Sequence, residues 1–182
     1  MQKWVGVVGS LRQASYNRAL LEALKNVLPS GVELELVDLR GIPVYDGDLE
    51  TQGLPEAVGA LDQKLAAADA IVIATPEYNY SIPGCLKNAI DWISRTPTRA
   101  FAGKPTAILG ASMGALGTAR AQYHLRQVLV YLDAFVMNRP EVFVGAAHTK
   151  FSEGRLSDEP TREVLKNFGE ALQTYVRRLS AS

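Results

Sequence analysis

The stretch Ala70-Ile71-Val72-Ile73-Ala74-Thr75, then Pro76-Glu77-Tyr78-Asn79-Tyr80-Ser81-Ile82-Pro83-Gly84, then Cys85-Leu86-Lys87-Asn88-Ala89-Ile90-Asp91-Trp92 reads as strand, loop and helix. The first run is apolar without alternation, which suits a strand covered on both faces. Leu86, Ile90 and Ile93 recur at the helix period. A polar, aromatic, double-proline loop at the carboxyl end of a buried strand lies where open α/β sheets bind ligands. Its tyrosines offer faces and edges to a flat aromatic molecule. Asn79 and Ser81 offer hydrogen bonds, and the prolines hold the backbone in place beforehand. The same residues also make an ordinary strand-to-helix turn, so the rest of the chain has to decide between the two readings.

Outward from this unit the pattern repeats. Strand-like runs cover residues 4–8, 32–39, 70–75, 105–111 and 135–144, and helical spacings cover 16–28, 56–68, 86–94, 118–132 and 159–179. Alternating strands and helices predict a parallel sheet with helices on both faces and right-handed crossovers. Five such units suit the flavodoxin-like α/β fold, a five-stranded parallel sheet in the order 2-1-3-4-5. No repeat, low-complexity tract or linker interrupts the chain, so residues 1–182 are expected to form one domain. Residues 39–54 and 150–158 read as irregular connections, and loops of that length are uncommon unless they do something.

Composition excludes several classes of partner. Nineteen Lys and Arg balance nineteen Asp and Glu, so nothing points to nucleic acid or to an anionic membrane surface. A neutral surface also permits self-association. The one cysteine, Cys85, leaves no intrachain disulfide and fits a reducing cytoplasm. Residues 1–8 lack the apolar core and cleavage site of a signal peptide and read as the first strand. No stretch approaches the roughly 20 apolar residues of a membrane span.

In a parallel sheet all strand carboxyl ends share one edge, so the loops after strands one, three and four converge. The first is Gly9-Ser10-Leu11-Arg12-Gln13-Ala14-Ser15-Tyr16-Asn17, running into a helix. A helix N-terminus carries unpaired N–H groups and partial positive charge. Ser10, Ser15 and Asn17 add neutral donors and Arg12 adds a fixed cation, a combination that suits a phosphate. Ser15 could equally be a plain helix cap, with Arg12 solvated. Neither a Walker P-loop nor a Gly-x-Gly-x-x-Gly fingerprint occurs, which argues against ATP hydrolysis and against a Rossmann dinucleotide site. The third loop, Gly110-Ala111-Ser112-Met113-Gly114-Ala115-Leu116-Gly117-Thr118, has glycines that let the backbone approach a ligand.

Gly9-Ser10-x-Arg12-x-x-Ser15, followed by Pro76-Glu77-Tyr78-Asn79-x-Ser81-x-Pro83-Gly84-x-Leu86-Lys87-Asn88-x-Ile90-Asp91-Trp92, resembles the NADPH-dependent FMN reductase family. The likeness continues through residues 119–126 and 137–141 and is strongest to the bacterial quinone and chromate reductase branch. It implies a flavodoxin-like fold with bound FMN and with NAD(P)H as co-substrate. It also implies that the first loop grips the FMN phosphate through Ser10, Arg12, Ser15, Tyr16 and Asn17. Pro76, Glu77, Tyr78, Asn79, Tyr80 and Ser81 would border the isoalloxazine and ribityl chain. Ser112, Met113, Gly114 and Gly117 would approach the pyrimidine side. Thr118 departs from the pattern, since relatives often have glycine there.

The expected activity is ping-pong hydride transfer through FMN to a small-molecule acceptor: a quinone, free flavin, chromate, or an azo or nitro compound. No catalytic side chain is required, because the cofactor carries the electrons. The alternatives are a flavodoxin-type electron carrier, which is usually strongly acidic, and a non-enzymatic protein with an empty fold. The family likeness implies a homodimer or homotetramer. Tyr123, Val130 and Tyr131 lie outside the main apolar stripe of their helix, and Arg120, Tyr123 and Glu141 are the candidate interface residues. Cys85 is read as structural, Trp92 as core, and Glu77 as orienting its loop rather than moving protons. Neither His124 nor His148 has a ligand-spaced neighbour, so no metal is expected.

Overall fold

Along the strand Ala70–Ala74 the side chains of Ala70, Val72 and Ala74 enter one apolar cluster, and those of Ile71 and Ile73 enter another. The computed structural model, which describes residues 1–181, is built around these two faces. In chain order the elements are β1 (Gln2–Val8), α1 (Tyr16–Lys25), β2 (Val32–Val37), α2 (Gly47–Thr51), α3 (Glu56–Ala67), β3 (Ala70–Ala74), α4 (Gly84–Ile93), β4 (Pro105–Ala111), α5 (Ala119–Tyr131), β5 (Phe135–Val136), β6 (Val142–Val144), a 3-10 turn (Ala147–Thr149), β7 (Phe151–Ser152), β8 (Arg155–Leu156) and α6 (Glu159–Ser180).

The main sheet runs β2-β1-β3-β4-β5, all parallel, as the alternation of elements predicts. β3 and β4 are buried along their whole length. On one face α1 and α6 cover the sheet, with Leu20, Leu21, Leu24, Leu165, Phe168 and Leu172 against Val8, Val72 and Leu109. On the other face α3, α4 and α5 do so, with Val58, Leu65, Ile90, Trp92, Leu125 and Leu129 against Val7, Ile73 and Ile108. Trp92 is core, as expected from sequence, and its indole N–H donates to Pro43 O at 2.9 Å.

The fifth strand, expected unbroken over 135–144, is in two pieces, and both pair with β4. Thr106 faces Val136 and Leu109 faces Val142, so the outer chain spends six residues where β4 spends three. Pro140 lies in the gap and has no N–H to give to a ladder, so residues 137–141 step out of the sheet. The two segments read as irregular also hold short elements. α2 lies within 39–54, and β7 with β8 makes a hairpin whose tip residues, Glu153 and Gly154, take φ values of 50° and 75°.

The third loop is set by close backbone approach. A Cβ on Gly110 would meet Thr75 O at 2.5 Å and would overlap Thr118 Oγ1. One on Gly117, whose φ is +53°, would overlap Phe143 C and stand 2.6 Å from Val144 N. Thr118 keeps the left-handed path that glycine would take freely, at φ 72°, while almost wholly buried. Its Oγ1 accepts a hydrogen bond from Gln122 Nε2 at 3.1 Å. Gly110→Ala should therefore lower stability by about 1–3 kcal/mol, the usual cost of overpacking. At this chain length that is a fall in Tm of roughly 2–4 °C per kcal/mol. The double variant Gly110→Ala/Thr118→Gly should recover part of the loss, since the contact with Thr75 O remains. An unchanged Tm for Gly110→Ala would mean that the loop yields without cost.

Candidate functional site

The first loop (residues 9–15), the second (75–83) and the third (112–118) leave the carboxyl ends of β1, β3 and β4. They enclose a cleft of about 400 Å³. Ser10, Arg12, Ser15, Tyr16, Asn17, Pro76, Glu77, Tyr78, Ala111, Ser112, Met113 and Gly114 line it. The sequence pointed to all of these except Ala111. Asn79, Tyr80, Ser81 and Gly117 stand outside the lining and shape the loops that form it.

In the first loop Ser15 caps α1. Its Oγ accepts from the N–H groups of Asn17 at 3.2 Å and Arg18 at 3.4 Å, and its own hydroxyl hydrogen stays available to donate. Ser10 Oγ accepts from Arg12 N–H at 3.3 Å. The Arg12 guanidinium is exposed and folds back on Ala14 O, with Nε at 3.1 Å and Nη2 at 2.5 Å, near the Tyr16 ring. Asn17, expected among the donors of this loop, has a different task. Its buried amide accepts from Ala111 N–H at 2.9 Å and donates to Ala111 O at 3.0 Å, which fixes the first loop against the end of β4. Tyr16 packs on Phe151 of the β7–β8 hairpin, with ring centres 5.3 Å apart.

The second loop is a miniature hairpin. Tyr78 and Ser81 exchange backbone hydrogen bonds of 2.9 and 3.0 Å. The tip residues Asn79 and Tyr80 take φ values of 51° and 67°, the geometry of a two-residue type I′ turn. A bulky residue rarely adopts this conformation, and three contacts to α5 hold it. The Arg120 guanidinium lies 3.7 Å from the centre of the Tyr80 ring. Ser81 Oγ and His124 Nδ1 are 3.1 Å apart. Glu77 Oε2 accepts from the N–H groups of Arg120 at 3.1 Å and Ala121 at 3.2 Å, and its Oε1 pairs with Arg120 Nη1 at 3.2 Å. Thr118, the residue at the cap position of α5, makes no side-chain cap bond. The carboxylate of the second loop takes that place, where helix polarity favours an anion.

In the third loop the Ser112 N–H is committed to Val144 O at 3.0 Å. Among the described residues, the N–H groups of Met113, Gly114 and Ala115 have no hydrogen-bond partner. Space around Gly114 is open, since the nearest atom to a Cβ placed there would be Ser112 Oγ at 3.8 Å. The cleft thus offers a cation and hydroxyls at one end, a tyrosine and a proline in its wall, and free N–H donors along its third side. This donor set matches a planar aromatic ligand that carries both carbonyl groups and a phosphate.

Sequence reading missed the partners of these loops. His124 follows Arg120 by four residues on α5, so the two share a face, and that spacing was a usable signal. Nothing in sequence linked Arg40, whose guanidinium donates to Leu11 O, or the ion pair of Arg18 with Asp38, to the first loop. The three candidate interface residues are engaged within the chain. Arg120 pairs with Glu77, and Tyr123 Oη donates to Glu141 Oε1 at 3.0 Å. The bond to Glu141 pushes the Tyr123 hydroxyl above its ordinary pKa. Val130 and Tyr131 lie open to solvent at 75% and 88% exposure. Cys85 is half-buried, with Sγ donating to Gly9 O at 3.6 Å, and burial pushes its pKa up, away from a reactive thiolate.

Comparison with known proteins agrees with this chemistry. The family model described as NADPH-dependent FMN reductase matches residues 2–149. An NAD(P)H-dependent FMN reductase of Pseudomonas aeruginosa is 52% identical over 178 residues, covering 97% of this chain and 96% of the relative. A quinone reductase of Escherichia coli is 46% identical over 177 residues, covering 93% and 94%. Among solved structures, the flavoenzyme NAD(P)H:(acceptor) oxidoreductase FerB from Paracoccus denitrificans superposes with a TM-score of 0.88 at 33% identity, covering 98% of each chain. The chain belongs to the NADPH-dependent FMN reductase family.

Proposed function

We propose that this protein is an FMN-dependent NAD(P)H oxidoreductase whose acceptor is a quinone. The observation that carries the reading is the cleft itself, where a basic, hydroxyl-bearing loop faces an aromatic wall and a row of free N–H groups. The similar quinone reductases supply the acceptor class. Bound FMN would supply the chemistry, taking a hydride from the nicotinamide and, with one further proton from solvent, reducing the acceptor by two electrons.

The residues bind and orient. Ser10, Ser15 and Arg12 hold the phosphate, with Arg12 exchanging Ala14 O for a phosphate oxygen. Tyr16 flanks that end of the cleft, and Asn17 fixes the loop from behind. Pro76, Glu77 and Tyr78 border the ring, while Asn79, Tyr80, Ser81 and Gly117 set the shape of the loops. The unpartnered N–H groups of Met113 and Gly114 would meet the ring's pyrimidine edge, where they would stabilise negative charge. The same open site admits free flavin, chromate, azo and nitro compounds. No helix among the described residues is long and apolar enough to cross a membrane, and the reading includes a cytoplasmic setting.

Donor and acceptor share one cleft, so each must leave before the other enters. Steady-state oxidation of NADPH and NADH with a benzoquinone should give parallel double-reciprocal lines. Intersecting lines would overturn the shared cleft, and no NAD(P)H oxidation by FMN-loaded protein would favour an electron carrier.

Removing a charged hydrogen-bond donor costs roughly 1.5–3 kcal/mol, so Arg12→Ala should weaken FMN binding about ten- to hundredfold. Riboflavin, which lacks the phosphate, should lose little. Equal losses for the two ligands in fluorescence titrations would remove Arg12 from the phosphate site.

The reading also includes a homodimer, which could pair into a homotetramer. The exposed Tyr123, Val130 and Tyr131 of α5 are the surface for it. Light scattering at micromolar concentration should give at least twice the monomer mass, and a monomer mass would refute assembly.

A further inference from the structure

We infer that the ion pair of Glu77 with Arg120, seated on the N-terminus of α5, sets the charge that the cleft presents to a bound flavin ring, and so how readily that ring takes up electrons. The inference rests on the function proposed above.

Glu77 is the one acidic residue among those that line the cleft, and its carboxylate is turned onto α5. Its side chain is only 13% exposed, so water screens its charge weakly. Three groups of α5 offset it: the Arg120 guanidinium and the N–H groups of Arg120 and Ala121. The guanidinium is itself held between this carboxylate and the face of Tyr80. Tyr80 is in turn fixed by the Tyr78–Ser81 bridge, so the pair has little freedom to turn away. A carboxylate and a cation held this way nearly cancel at the cleft wall. Electron uptake places negative charge on the flavin, which a bare carboxylate opposes and a bare cation assists.

The pair therefore makes predictions of opposite sign. Arg120→Gln leaves Glu77 without its cation and should lower the flavin's reduction potential. Glu77→Gln keeps the shape and one acceptor for α5 but frees the Arg120 charge, and it should raise the potential. Each change should shift the ratio of affinities for reduced and oxidised FMN by about tenfold, which is about 30 mV for a two-electron couple. The double variant and Arg120→Lys should both lie near the wild type. A role confined to packing would move both single variants the same way or neither.

The experiment is potentiometric titration of the FMN-loaded wild type and the four variants at pH 7. FMN dissociation constants, from fluorescence quenching, and thermal melts are measured on the same samples. Opposed shifts that cancel in the double variant support the inference. Shifts of one sign, or none, in variants that bind FMN and melt cooperatively overturn it. Should one single variant fail to fold, Arg120→Lys and the remaining single variant decide it: a shifted Arg120→Lys, or an unshifted remaining variant, counts against the pair. A wild type that binds no FMN refutes the underlying function instead.

Discussion

The loops of the cleft depend on how tightly the chain is pinned at the carboxyl end of β4. There Asn17 pairs with both backbone groups of Ala111, across ninety-four positions of sequence. One residue earlier, Gly110 lies so close to Thr75 O and Thr118 that no side chain fits. One residue later, the N–H of Ser112 is bound to Val144 O. Three consecutive residues thus fix the first, second and third loops to one another. Lost pairing at Ala111 would leave a buried donor and acceptor unsatisfied, at roughly 1–3 kcal/mol for each group. The floor of the cleft is accordingly rigid, and its shape does not wait for a ligand.

The same edge of the sheet concentrates backbone strain. Asn79, Tyr80, Thr118 and Ala146 are non-glycine residues with positive φ in or beside the second and third loops. Such residues cost of order 1–3 kcal/mol each and persist where their surroundings determine them. The surroundings are visible for three of the four. Arg120 lies over Tyr80, Gln122 bonds Thr118, and Ala146 N–H donates to Gly114 O at 3.1 Å. Glu77 links the two strained segments by capping the helix that follows the third loop. The strain lies next to the cleft; at Tyr80 and Thr118 it is offset by the first turn of α5, and at Ala146 by the third loop.

The sheet order and all three loops were legible because they rest on local signals: unbroken apolar runs, helical spacing, and clusters of Pro, Gly, Ser and Asn. Long-range pairings were not legible. Asn17 reads as a donor to a ligand until its neighbour ninety-four residues away is known. Glu77 reads as a loop carboxylate until α5 is placed beneath it. The break in the fifth strand had a local signal in Asn138-Arg139-Pro140-Glu141, which the longer apolar pattern of 135–144 masked. Thr118 was visible as a departure from the family pattern. Gln122, four residues on, was within local reach as its partner, but the close approach of Gly110 to Thr118 and Thr75 was not.

A rigid cleft with an open mouth has consequences for selectivity. Tyr78 and Met113 line it, yet they are 51% and 64% exposed. Large apolar side chains left open beside a concave site mark a surface waiting for a partner. The second loop is too well tied to α5 to act as a closing lid. The second loop thus needs no ordering to receive a ligand, and it adds none of the discrimination that closure supplies. What such a site can select is flatness and polarisability, through contact with aromatic and thioether groups. Many quinones meet that description equally well. On the function proposed above, discrimination among such acceptors has to come from the charge and shape of the cleft wall rather than from closure of a lid.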